Sequence, residues 1–200
     1  MKILCIDMNI IMAPCIRLYM DRVQTGDNPE IIWSKLERDM GIGAHLSYDA
    51  GILLSLAELI KKNKDADFVI TESQKQNVAV IEKVFEKSTD GNPLQVTNID
   101  FFCDIGTDAE NSGFDFGIYD DDTWLGYLLG KKPEIRTRWV KAPESFVRDG
   151  VVRDIDISIM PVSEIRGLPQ DHELIILSHS GRFVPYCYRH LGNLLGVISA

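Results

Sequence analysis

The chain has 200 residues, 45% of them hydrophobic and 26% charged, which is enough for one globular domain over residues 1–200 with a sizeable core. Its formal net charge of -9 and its lack of any basic run longer than two residues argue against a general nucleic-acid binder, because phosphate neutralisation needs clustered Lys and Arg. No stretch is long and apolar enough to span a bilayer, and Asp7 and Asn9 interrupt the early apolar run where a secretion signal needs an unbroken centre.

Residues 2–7, KILCID, form a short apolar run whose length and composition predict a buried parallel strand ending in Asp7. Residues 14–23 continue as an amphipathic helix or turn, and 26–29 as a loop. A helix is expected over 29–39, where Ile31, Ile32 and Leu36 share a stripe beside Trp33. The pattern is clearest over 47–62: Ile52, Leu53, Leu56, Leu59 and Ile60 recur at helical spacing, and Lys61 and Lys62 sit where the helix dipole favours cations.

A second strand is predicted over 67–71 (DFVIT), a helix over 76–87, a turn at 91–93 and a third strand over 94–102, closing on Asp100 and Asp104. Residues 120–130 read as a helix with Asp120, Asp121 and Asp122 at its N-terminus. Further strands are expected over 135–140, 152–159 and 174–178 (LIILS), then a terminal helix over 185–195. Apolar strands alternating with amphipathic helices predict an α/β fold of three layers, its mostly parallel sheet covered on both faces. In such sheets ligands gather at the carboxyl ends of the strands, where Asp7, Asp100 and Asp104 fall.

Two segments carry the candidate chemistry. In Asn98–Ile105 (NIDFFCDI), Asp100 and Asp104 bracket a strand end, and two converging carboxylates repel unless a cation or basic group lies between them. In 6–11, Asp7 and Asn9 are two apart and face one way in extended chain. Taken alone, each segment is better explained by a capping Asp, a solvated loop Asp or a strand-end turn than by a cation site. Cys5 and Cys15 read as buried free thiols, which suits a reducing cytoplasm. Cys103 has no His placed to activate it. His45, His172, His179 and His190 read as polar surface residues, and Asp154 and Asp156 as the solvent face of an edge strand.

Taken together, these segments resemble the arginase-like (ureohydrolase-like) family that includes the peptide arginases. The stretch 6–11 is similar to the family's Asp-x-Asp segment, 71–76 to a Glu-x-His segment and 98–105 to its Asp-x-His-x-Asp segment. Residues 123–128 resemble a Trp-containing helix start, 138–145 a Trp-containing strand and turn, and 171–185 the last strand. The Asp-x-Asp segment comes first here, which implies a permuted strand order. The resemblance implies a ureohydrolase-like fold and six metal-site positions: Asp7, Asn9, Gln74, Asp100, Phe102 and Asp104. The family has Asp where this chain has Asn9, and His where it has Gln74 and Phe102.

A manganese pair is normally held by carboxylates and imidazoles together, and only three carboxylates remain. The expectation is therefore a catalytically impaired arginase-like protein, without cofactor, that binds a peptide or protein partner such as an active homologue. Nucleic acid and membrane are not expected partners, and self-association stays open. The alternative is a metal-dependent hydrolase acting on a guanidino or amide group through an altered ligand set. It would use Mn, or one ion at Asp7, Asp100 and Asp104 with help from Cys103 or Asp171. A small α/β interaction protein with only structural resemblance is the third reading.

Overall fold

The structure, a computed structural model, describes residues 1–12, 16, 28–40, 48–87, 93–104, 123–143, 145, 157–179, 184 and 188–199. Six strands form one sheet: β1 (Lys2–Asp7), β2 (Asp67–Thr71), β3 (Gln95–Ile99), β4 (Arg136–Lys141), β5 (Ile157–Pro161) and β6 (Leu174–Ser178). Their order is β2-β6-β1-β3-β4-β5, and every neighbouring pair is parallel. Between them run α1 (Pro29–Met40), α2 (Ala50–Lys62), α3 (Lys75–Lys87) and α4 (Trp124–Lys131), with α5 (Arg189–Ser199) after β6. Among the described residues, no helix is long and apolar enough to cross a membrane.

Alternation along the strands sorts the core into two layers. Leu4 and Ile6 of β1, Ile99 of β3 and Ile175 and Leu177 of β6 pack with α1, α2 and α5 on one face. Ile3 and Cys5 of β1, Val96 of β3 and Ile176 of β6 meet α3 and α4 on the other. This is a three-layer α/β/α arrangement, and it explains why β1 and β6 are apolar at successive positions: both faces are covered.

Helix α2 shows how local sequence fixes an element. Asp49 Oδ1 accepts from the Ile52 N–H at 2.9 Å, so the helix starts at Ala50 rather than at the expected 47. At its other end Asn63 Nδ2 donates to the Leu59 carbonyl at 2.9 Å, and Lys61 and Lys62 lie in the last turn. Replacing this cap, Asp49→Ala, is expected to cost about 1 kcal/mol and to lower the midpoint of thermal unfolding by roughly 2–4 °C, read by circular dichroism.

Other boundaries differ from expectation. Strand β3 stops at Ile99 although the apolar run continues through Phe101 and Phe102, because Asp100 Oδ1 accepts from the Phe102 N–H at 2.9 Å and turns the chain. A 3-10 helix, Met8–Met12, follows β1, and another, Val162–Gly167, follows β5. Strand β5 is described from Ile157 to Pro161, and α5 from Arg189 to Ser199, past the expected end at 195. The expected helix over 14–23 (Ile16 apart), the acidic start at Asp120–Asp122, Asp154, Asp156, Cys15, Cys187 and His45 lie outside the described residues.

The connection from β1 leads to β2 on one side of the sheet, and that from β3 to β4 on the other. Adjacent strands β1 and β3 are thus the point where the topology reverses. In open parallel sheets such a reversal opens a crevice at the carboxyl ends.

Candidate functional site

Asp7 closes β1 and Asp100 follows β3, so both stand at this reversal, 1% and 0% exposed respectively. Asn9 ties the two tips together. Its own N–H donates to Asp7 Oδ1 at 2.7 Å, and its side-chain Oδ1 accepts from the Phe101 N–H at 3.1 Å. The polar residue in the apolar run 8–12 thus supplies an acceptor for a buried backbone donor.

Gln74, in the turn before α3, reaches across to the same place. Its Nε2 donates to Asp100 Oδ2 and, at 3.0 Å, to Asp104 Oδ2. One neutral amide group thus stands between two carboxyls where mutual repulsion calls for a positive charge. Asp104 Oδ2 also accepts from Asn98 Nδ2 at 3.2 Å and from the indole Nε1 of Trp124 at 2.9 Å. The Trp139 indole donates to the Asp100 carbonyl at 3.0 Å.

Asp104 has a positive φ of 57°, a left-handed conformation that Asp tolerates better than most residues. The turn aims its carboxyl into the cluster, while its carbonyl accepts from the Leu125 and Gly126 N–H groups at the start of α4. Its Oδ1 is buried and has no hydrogen-bond partner among the described residues.

The electrostatics follow from burial without a cation. Desolvation pushes the Asp104 carboxyl well above the ordinary carboxylate range, the charges on Asp100 and Asp7 push it further, and the Trp124 donor opposes them. Asp100 is raised by burial as well, and its hydrogen bonds with Asp104, Phe102, Asn9 and Gln74 hold it back. Burial therefore favours a proton on this pair of carboxyls, with Asp104 the more strongly raised of the two. Burial, reinforced by the charge of Asp100, also raises the Cys5 thiol, which is an inert core group.

Of the six metal-site positions that the resemblance implies, Asp7, Asn9, Gln74, Asp100 and Asp104 come together in this buried cluster. Phe102 is half-buried: its ring lies 5.0 Å edge-on to Phe101, against the apolar layer. The donor set does not fit two manganese ions. Asn9 Oδ1, Asp7 Oδ1, Asp100 Oδ1 and Asp104 Oδ2 already accept N–H donors. Gln74 presents its nitrogen, which ligates nothing, and Phe102 offers only carbon. Among the described residues, no three of His, Cys, Asp and Glu are grouped as a metal site requires.

Asp171 does not belong here. It precedes β6, at the opposite end of the sheet, and its carboxylate binds Lys2 Nζ at 2.5 Å. Two histidines read as surface residues are buried, each 5% exposed. His172 sits at Asn63, whose Oδ1 lies 3.2 Å from Nδ1. His179 packs under α5, where Gly192 leaves it room: a Cβ there would come within 2.8 Å of Nε2. His190 is exposed as expected.

Sequence reasoning missed the donors Asn98 and Trp124 as members of the cluster. Asn98 had a legible signal, since an amide near the end of a buried central strand must find a partner. Trp124 had none, because only the fold brings its indole to Asp104. Comparison with known protein families, characterised proteins and solved structures finds no match for this chain.

Proposed function

We propose that this chain is a catalytically silent protein of arginase-like design, which works by binding a peptide or protein partner rather than by hydrolysis. The observation that carries this reading is the Gln74 amide bridging Asp100 and Asp104. N–H donors meet both oxygens of Asp100 and one each of Asp7 and Asp104, and burial favours a retained proton, so the cluster's demand for a cation is lowered. A ureohydrolase needs a water made acidic by metal, and Asp7 Oδ1, Asn9 Oδ1, both Asp100 oxygens and Asp104 Oδ2 already accept N–H donors. What remains at the strand tips is a rigid polar core beneath the surface that such folds use for recognition.

The direct test is metal loading. Protein purified without chelator and dialysed against excess Mn²⁺ is expected to retain none above background by elemental analysis, and its melting temperature is expected to stay unchanged. Two Mn²⁺ per chain would overturn the reading.

The buried, unpartnered Asp104 Oδ1 favours one second reading: a hydrolase of guanidino or amide groups that holds a single ion at Asp7, Asp100 and Asp104. One equivalent of metal that disappears in Asp104→Asn would establish this reading in place of the first.

A further inference from the structure

At the other end of the sheet, on the face that carries Leu4 and Ile6, lies a cavity of about 290 Å³. The strand register builds it. Lys2, Gln95 and Arg136 are consecutive partners across β1, β3 and β4, and Thr97, Arg138 and Ser158 are consecutive partners across β3, β4 and β5. The loop before β6 adds His172 as a wall. Lys2 and Asp7 are five residues apart in β1, so this cavity lies about 16 Å from the carboxyl cluster.

Its charge is unusual for this chain. Acidic residues outnumber basic ones, 30 to 21, yet among the described residues neither Arg136 nor Arg138 has a carboxylate within ion-pair distance. The guanidinium of Arg138 instead meets a neutral group, its Nε 3.4 Å from Ser158 Oγ. Two nearby acidic residues are committed elsewhere. Asp171 holds Lys2 Nζ, and Glu173 accepts from the Lys2 N–H at 3.1 Å and pairs with the N-terminal amine at 3.8 Å. Two guanidinium forks from one strand, with the hydroxyls of Thr97 and Ser158 beside them, are left facing a cavity.

We infer that this cavity is a binding site for a small phosphorylated molecule, with Arg136 and Arg138 holding the phosphoryl group. Guanidinium forks match phosphate oxygens two at a time, and the hydroxyls supply donors to the remaining ones. The volume is at the low edge of small-molecule pockets, which fits a phosphomonoester of few carbons rather than a nucleotide. The cationic surroundings also register on His172. Burial lowers its pKa first, and the charges of Lys2 and Arg138 lower it further while Asp171 opposes them. The imidazole is a neutral wall and does not add to the charge. The site is independent of the carboxyl cluster and of the function proposed for it.

Calorimetric titration of the full chain with inorganic phosphate and with ribose 5-phosphate at pH 7.5 and low ionic strength tests this. Saturable binding is expected for both, tighter for the ester, and weakened about tenfold or more by Arg138→Gln and by Arg136→Gln. Arg136 is exposed, so its variant keeps the test decisive even if Arg138→Gln folds poorly. Lys35→Gln on α1 removes the same charge from a remote exposed position and is expected to bind like the parent. The inference fails if the parent shows no saturable binding up to about 20 mM phosphate, or if Lys35→Gln weakens binding as much as Arg136→Gln. Succinate binding as tightly as phosphate overturns the phosphoryl assignment.

Discussion

Carrying Asn9→Asp, Gln74→His and Phe102→His together is expected to turn a chain indifferent to Mn²⁺ into one that depends on it. In the metal-free state the triple variant loses the amide that bridges Asp100 and Asp104 and gains a further buried carboxylate at the tip of β1. An uncompensated buried charge costs about 3–5 kcal/mol, so unfolding in chelator is expected roughly 6–20 °C below the parent. Mn²⁺ should then restore much of the loss, because a ligand present at about 100 times its dissociation constant stabilises by about 2.7 kcal/mol. The readouts are thermal melts with chelator and with Mn²⁺, and metal content per chain. A variant that folds yet ignores Mn²⁺ would show that the strand tips are not built on the arginase-like plan. Asn9→Asp alone separates the causes: it adds the charge while leaving Gln74 and Phe102 in place, and it is expected to destabilise without gaining metal.

The same residues show how far the sequence could be read. Strands β1, β2 and β6 were legible to the residue, because each is a short apolar run bounded by polar or charged residues, and in β1 and β6 burial on both faces leaves no other use for such a run. The end of β3 was not legible. Phe101 and Phe102 continue its apolar pattern, and the chain turns only because the side chain of Asp100 captures the Phe102 N–H. The Met8–Met12 helix was hidden for a similar reason: a five-residue apolar run has the same composition whether it is a strand or one helical turn. For the cluster, spacing brought out Asp7, Asn9, Asp100 and Asp104, but only the resemblance pointed to Gln74. Tertiary structure then decided its chemistry, since nothing in Thr71–Gln76 reveals that the amide nitrogen will face two carboxyls from the segment that follows β3. His172 and His179 were misread for want of tertiary information: Asn63, which bonds His172, is 109 residues away, and Gly192, which makes room for His179, lies on a different element.

Asp104→Asn is expected to stabilise the protein at pH 8, an unusual outcome for a change in the middle of a buried polar cluster. Burial raises the Asp104 carboxyl well above the ordinary carboxylate range. The folded chain therefore keeps a proton that the unfolded chain releases above that range, and folding takes one up. The stability linked to this proton is complete below the ordinary carboxylate pKa and is lost as pH climbs through the raised one. Asparagine is the permanent neutral form. Its Oδ1 can accept from Gln74, Asn98 and Trp124 as Asp104 Oδ2 does, its amide nitrogen replaces the protonated oxygen, and it tolerates the left-handed backbone at this position. Relief of the desolvation cost is worth about 2 kcal/mol, so a rise of roughly 4–8 °C at pH 8 is expected. His172 acts in the opposite sense. Its pKa is lowered by burial, so its contribution is present above its ordinary value near 6.5 and is lost as pH falls through the depressed one. The difference in melting temperature between variant and parent removes the His172 contribution, which both share, and isolates Asp104. That difference is expected to be small at pH 5 and to widen steadily toward pH 9. A difference that stays flat, or that narrows as pH rises, would mean that Asp104 is ionised in the folded chain. A positive charge, rather than the amide of Gln74, would then have to balance the cluster.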